Sequence, residues 1–247
     1  MSSLRLAVRY LTILPLPGRR HADVGDLGRA AAWFPVVGLG IGVIVVAVEW
    51  LASRVFPPLL AALLTVTAWK LLTGGLHLDG LADCLDGLGG RDPEHRLAIM
   101  HDSRIGALGA VGLILFLLLE ITAIAELPPS VRPYVLVAAP ALARAMPALL
   151  GRVLAPARGQ GLGANFQATL PARAAPLAMA AALVITAAAL GGAGVLALAL
   201  AAVVSLLIGR FFAARLGGIT GDVFGAAIEA AELAAVLTVS AWAHARL

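Results

Sequence analysis

Apolar stretches of near twenty residues alternate with short polar connections along almost the whole chain. They run over Ala31–Leu51, Pro58–Leu76, Ile105–Ala125, Tyr134–Leu154, Ala175–Leu190, Gly194–Phe211 and Val223–Ala243. Each is close to the roughly 17–25 residues that a helix needs to cross the hydrocarbon of a bilayer. A backbone in lipid must satisfy its own polar groups, and a helix does so within one segment. The pattern predicts an all-α, polytopic bundle of about seven transmembrane helices, read as one domain over 1–247. The fifth and sixth stretches are separated only by GGAG and are expected to form a tight hairpin.

The start of the chain breaks this pattern. In MSSLRLAVRYLTILPLPGRR, Arg5 and Arg9 interrupt an apolar face of Leu4, Val8, Tyr10 and Leu11. No small-residue cleavage site follows, so the segment reads as an interfacial helix and not as a signal peptide.

Composition and charge extend the picture. The chain is 61% hydrophobic and 13% charged, with a mean hydropathy of +0.96, whereas soluble domains carry about 25% charged residues. The single cysteine, Cys84, excludes an internal disulfide and suits helix packing. Arginines before the first span (Arg5, Arg9, Arg19, Arg20, Arg29) share a side with those after the second, fourth and sixth. The opposite side holds only Arg54, Arg132 and Arg246. The positive-inside rule then places the N-terminus in the cytoplasm and, with seven spans, the C-terminus outside. Gly38 and Gly42 have the GxxxG spacing that lets helix backbones approach closely and permits helix-mediated homo-oligomers. The chain has no GxxxxGK[ST], HExxH or GxSxG, which argues against ATP-driven pumping and standard hydrolase chemistry.

Six of the fourteen acidic residues fall between Gly74 and Arg104, in TGGLHLDGLADCLDGLGGRDPEHRLAIMHDSR. Asp79, Asp83 and Asp86 stand at i, i+4 and i+7, within an arc of roughly 60° on a helix. Like charges on one stripe repel, and a hard divalent cation such as Mg²⁺ or Ca²⁺ reverses the sign of that energy. A solvated amphipathic face is the competing reading, but membrane-surface helices carry Lys and Arg there. His77, His101, Asp102, Ser103 and Arg104 add donors and titratable groups. Arg104 suits either an interfacial anchor or a phosphate clamp, and His77 either a backbone carbonyl or a substrate.

A second acidic group closes the chain, in GGITGDVFGAAIEAAEL. Asp222 and Glu229 are seven apart and nearly in line, with Glu232 about 60° round from Glu229. Charge alternation puts Asp222 on the same side as the first stripe, as a shared active site requires. Asp222 also suits a helix N-cap, and Glu229 and Glu232 also suit ion pairs with Arg144 or Lys70.

These segments resemble the cobalamin synthases, or adenosylcobinamide-GDP ribazoletransferases. The resemblance runs through YLTILPLP, WFPVVGLGIG, TGGLHLDGLADCLDGLGG, IMHDSRIGALG and GGITGDVFGAAIEAAEL, across essentially the whole chain. Cys84 departs from it, standing where a small polar residue such as Thr is expected. The resemblance implies an Mg²⁺-dependent transferase of the cytoplasmic (inner) membrane with its site facing the cytoplasm. It joins adenosylcobinamide-GDP to α-ribazole or its 5′-phosphate and releases GMP. Its partners are these small molecules and the lipid bilayer, with no nucleic acid. Asp79, Asp83 and Asp86 are implied metal ligands and, with Asp222, Glu229 and Arg104, the catalytic set. Lys70, His77, His101, Asp102, Ser103 and Glu232 are implied substrate contacts.

Two other readings compete. A CDP-alcohol phosphotransferase needs DGxxAR, but Asp79-Gly80-Leu81-Ala82 is followed by Asp83. A secondary cation-coupled transporter would place its acids near the midplane and repeat its halves; here they cluster at one face, without an inverted repeat.

Overall fold

The computed structural model describes residues 2–16 and 26–246. Arg19 and Arg20 lie outside the described residues. The chain opens with α1 (Ser3–Leu11), whose Ala7 and Leu11 are buried. It docks on α2 (Leu27–Ala30) and on α3 (Phe34–Val55), which follows a single 3-10 turn at Ala31–Trp33. The interfacial segment is thus a short amphipathic helix held against the bundle.

Next come α4 (Pro58–Leu72), α5 (Leu76–Gly87), α6 (Pro93–Ile99) and α7 (Ala107–Glu126). They are followed by α8 (Arg132–Ala143), α9 (Met146–Val153) and α10 (Leu162–Ala168). The last three are α11 (Ala174–Leu190), α12 (Gly192–Leu216) and α13 (Gly221–His244). α13 and the α8–α9 pair form the centre, where runs such as Phe224–Glu229 and Leu136–Pro147 are almost wholly buried. Around them α3, α4, α7, α11 and α12 turn Ile44, Leu63, Ile114, Leu115, Val184 and Leu207 outward. Such a belt of exposed aliphatic side chains is at home only in lipid. The protein is an all-α, integral membrane bundle.

The count of seven spans is not reproduced. Five helices, counting Leu27–Val55 as one, are long and apolar enough to cross a membrane. A sixth arises only if α4 and α5, bent by 91°, are one broken span, and Ala174–Leu190 is a shorter apolar helix. The bend has a local cause. Gly74 and Gly75 adopt φ of 65° and 69°, left-handed values that end a helix, and Gly75 N–H closes the turn on the Lys70 carbonyl. The apolar count to Leu76 ran through this break.

After the bend α5 crosses one end of the bundle and packs on α13 and on α7. A Cβ on Gly80 would lie 2.8 Å from the Asp222 carbonyl oxygen, so the glycine permits the close crossing. At Gly42 a Cβ would meet the Leu136 carbonyl at 2.7 Å, and Gly38 faces Pro140 in the same way. The GxxxG pair therefore serves α3–α8 packing within the chain.

Candidate active site

The bend, the start of α7, the 154–161 loop and the start of α13 converge at one end of the bundle. A bridge between Pro156 and Ile219 ties the third of these to the turn before α13. Two cavities open there and share Leu76, Asp79, His101 and Asp222. The larger, about 710 Å³, is lined by Asp79, Asp83, His101, Asp102, Ser103, Arg104 and Asp222 among others. The smaller, about 410 Å³, has mostly apolar and aromatic walls. Two acidic segments more than a hundred residues apart thus form one wall.

Within this wall the residues differ in their ties. Thr220, not Asp222, is the N-cap of α13, accepting a hydrogen bond from Val223 N–H. Asp222 accepts one from the Thr220 hydroxyl at 3.1 Å and faces both cavities. Asp83 is half-buried, and burial with the charges of Asp222, Asp79 and Asp86 pushes its carboxyl up to about 7. Burial and unscreened like charges both favour a proton on this carboxyl.

Asp86 is engaged differently. Its two oxygens accept the N–H groups of Gly106 and Gly109, each at 2.7 Å. A carboxylate at a helix start satisfies orphan donors and complements the dipole, so Asp86 pins the start of α7 to α5. Asp86→Ala is expected to cost about 1–2 kcal/mol, seen as a lower thermal midpoint in detergent. An unchanged midpoint would rule out this capping role.

Arg104 is exposed and bound to Asp102 through Nε and a 2.6 Å contact from Nη2. That pairing holds the Asp102 carboxyl down at about 2 and raises Arg104. An incoming phosphate would have to compete with Asp102 for the guanidinium. His77, on α5, is 3% exposed and lines the smaller cavity, yet neither ring nitrogen has a hydrogen-bond partner. Burial, Arg144 and Lys70 lower its pKa, so the ring is neutral. Cys84 is buried in α5, where burial raises its thiol, in keeping with a packing role.

Lys70, Glu229 and Glu232 line neither cavity. Glu229 sits two turns beyond Asp222 on α13, about 10 Å deeper along the axis. Lys70 Nζ lies 2.6 Å from Glu229, 2.9 Å from Glu232 and 3.1 Å from Glu120, and Arg144 also pairs with Glu232. Among the described residues, only Glu120, Glu229 and Glu232 bring three carboxylate oxygens within 4.8 Å of one another, and Lys70 supplies their cation. Asp79, Asp83 and Asp86 form no such group. Glu120 escaped the sequence reading, although an acid in the apolar middle of ALGAVGLILFLLLEITAIAE was a signal. Arg132, read as a loop charge, is buried against Glu49 at 3.0 Å.

The family model for cobalamin-5-phosphate synthase matches residues 3–240. The chain is 40% identical to the adenosylcobinamide-GDP ribazoletransferase of Roseiflexus sp. (strain RS-1), over 98% of this chain and 90% of that one. It is 41% identical to the protein of that name from Stutzerimonas stutzeri (strain A1501), over 96% and 97%. The Bradyrhizobium diazoefficiens protein of the same name is 38% identical over 100% and 96%. No solved structure is detectably similar.

Proposed function

This chain belongs to the cobalamin-5-phosphate synthase family, and from that premise we propose that its acidic wall is the active site of an adenosylcobinamide-GDP ribazoletransferase. The observation that carries the assignment is the meeting of Asp79 and Asp83 from α5 with Asp222 from α13 around one polar cavity. In the reaction a ribose hydroxyl of α-ribazole, or of its 5′-phosphate, attacks the corrinoid-side phosphorus of adenosylcobinamide-GDP. A new ribose O–P bond forms, the P–O bond to GMP breaks, and the hydroxyl proton goes to a carboxylate. Asp222 is the residue for that proton, since it faces both cavities and its helix is capped by Thr220 instead.

Hard carboxylate oxygens, with Asp83 pushed up to about 7 by burial and by its acidic neighbours, fit a divalent cation. Asp79 and Asp83 would hold Mg²⁺, with Asp222 beside them. Mg²⁺ is typically held by one or two carboxylates plus substrate phosphates, which suits aspartates that do not close a cage by themselves. When bound, the ion offsets charge on the pyrophosphate and on the departing GMP. Arg104, which lines the same cavity, clamps a phosphate once released from Asp102. Asp86 serves by holding α7 against α5. A cytoplasmic opening of the cavities is supported by Arg91 and Arg158 on loops at this end and by Arg96 and Arg152 on the short helices α6 and α9.

Purified protein in detergent, given adenosylcobinamide-GDP and α-ribazole-5′-phosphate with Mg²⁺, should release GMP and yield a phosphodiester-linked corrinoid. EDTA should stop the reaction and added Mg²⁺ restore it. Turnover that persists in EDTA would discard the metal, and a folded protein releasing no GMP would discard the reaction.

A further inference from the structure

We propose that the smaller cavity is the subsite for the benzimidazole nucleoside, and that the polar cavity takes the pyrophosphate of the corrinoid substrate. This rests on the transferase reading above and adds to it a division of the two substrates between two cavities. Aromatic residues are scarce here, seven Phe, four Trp and two Tyr in the whole chain. Tyr10, Phe34, Phe166 and Phe224, from four different helices, nevertheless all line this one cavity. They form a continuous series: Tyr10 and Phe34 stack at 6.3 Å, Phe34 and Phe166 at 6.0 Å, and Phe166 meets Phe224 edge-on at 5.3 Å. Such walls select a flat aromatic ligand by offset or edge contacts.

Size and polarity identify which substrate this is. About 410 Å³ is near the low end of small-molecule sites, roughly 300–1,000 Å³. It admits a nucleoside and excludes a corrin macrocycle. Two flat bases take part in the reaction, guanine and the benzimidazole. Guanine presents polar edges that cost free energy unless each finds a partner. A dimethylbenzimidazole presents a methylated benzo edge that needs none. Of the polar side chains that line it, which include Arg158, Gln160, His101 and Thr220, His77 is the one withdrawn from solvent. It is buried, its two ring nitrogens are unpartnered, and a neutral imidazole offers one donor and one acceptor. A nucleoside seated here has its ribose toward Asp79 and Asp222, the wall shared with the polar cavity. The attacking hydroxyl and the phosphorus then meet across that wall from opposite sides.

The test is calorimetric titration of α-ribazole into detergent-solubilised protein without corrinoid, paired with the KM of each substrate. Phe166→Leu and Phe224→Leu should each weaken α-ribazole on the order of tenfold. Both should raise its KM in parallel and leave the KM for adenosylcobinamide-GDP little changed. Phe166→Tyr, which keeps the ring, should restore binding. Wild-type protein provides a check independent of variant folding: a nucleoside with imidazole in place of benzimidazole should bind at least about tenfold more weakly, and excess GMP should not displace α-ribazole. A rise in the corrinoid KM alone, displacement by GMP, or undiminished α-ribazole binding in both leucine variants would overturn the assignment. Ring-dependent α-ribazole binding without GMP release would keep the subsite and remove the reaction. GMP release whose α-ribazole KM ignores these rings would keep the reaction and remove the subsite.

Discussion

Asp79→Ala and Asp83→Ala are each expected to cut GMP release by about three orders of magnitude or more, while the protein stays folded. Orienting and neutralising a pyrophosphate through a metal is worth several kcal/mol of transition-state stabilisation, and each 1.36 kcal/mol is tenfold in rate. Stability should move the other way. Asp79 is exposed, Asp83 half-buried, and the burial and neighbouring charges that push Asp83 up to about 7 no longer oppose folding once its carboxylate is removed. In EDTA, Asp83→Ala should therefore unfold at the wild-type midpoint or above it. Mg²⁺ should raise the midpoint of the wild type by linkage and leave that of the variant nearly unmoved. Retention of activity to within about tenfold by Asp83→Ala at saturating Mg²⁺ would sink the metal assignment.

The second large effect is on the fold. Lys70→Met should destabilise the protein by about 3–5 kcal/mol, because breaking a buried ion pair leaves uncompensated charge. Lys70 Nζ is within 3.1 Å of Glu120, Glu229 and Glu232, all three almost inaccessible, and Arg144 alone would remain to offset them. The double variant Lys70→Met, Glu120→Leu removes one of the stranded carboxylates as well, and should recover part of the loss. Residues in one network are non-additive in this way. Thermal unfolding of the wild type, the two single variants and the double variant in detergent would measure it. Equal midpoints for Lys70→Met and the wild type, or strictly additive losses, would contradict a shared buried network.

Much of this was legible in the chain. The stripe of Asp79, Asp83 and Asp86 follows from spacing alone, since a helix turns about 100° per residue whatever surrounds it. The membrane class follows from the apolar stretches, and the common side of Asp222 and Asp79 from the alternation of arginines. The roles of individual acids were less accessible. Asp86 shares its stripe with Asp83, yet it caps α7, because the N–H groups of Gly106 and Gly109 come to rest against it. Glu229 is in line with Asp222, yet it belongs to the Lys70 cluster. One helical face passes from solvent to core along its length, and spacing does not say where.

The sequence by itself determined the helical class, the membrane setting and the acidic character of the candidate site, because these rest on hydrophobicity, charge and helical period. Tertiary structure alone decided which glycines would bring α5 against α13 and α3 against α8. It also decided that Lys70 would answer three buried glutamates, and that four aromatic rings from separate helices would line one cavity. Those outcomes depend on contacts between residues far apart in the chain, and packing fixes them only when every helix is in place.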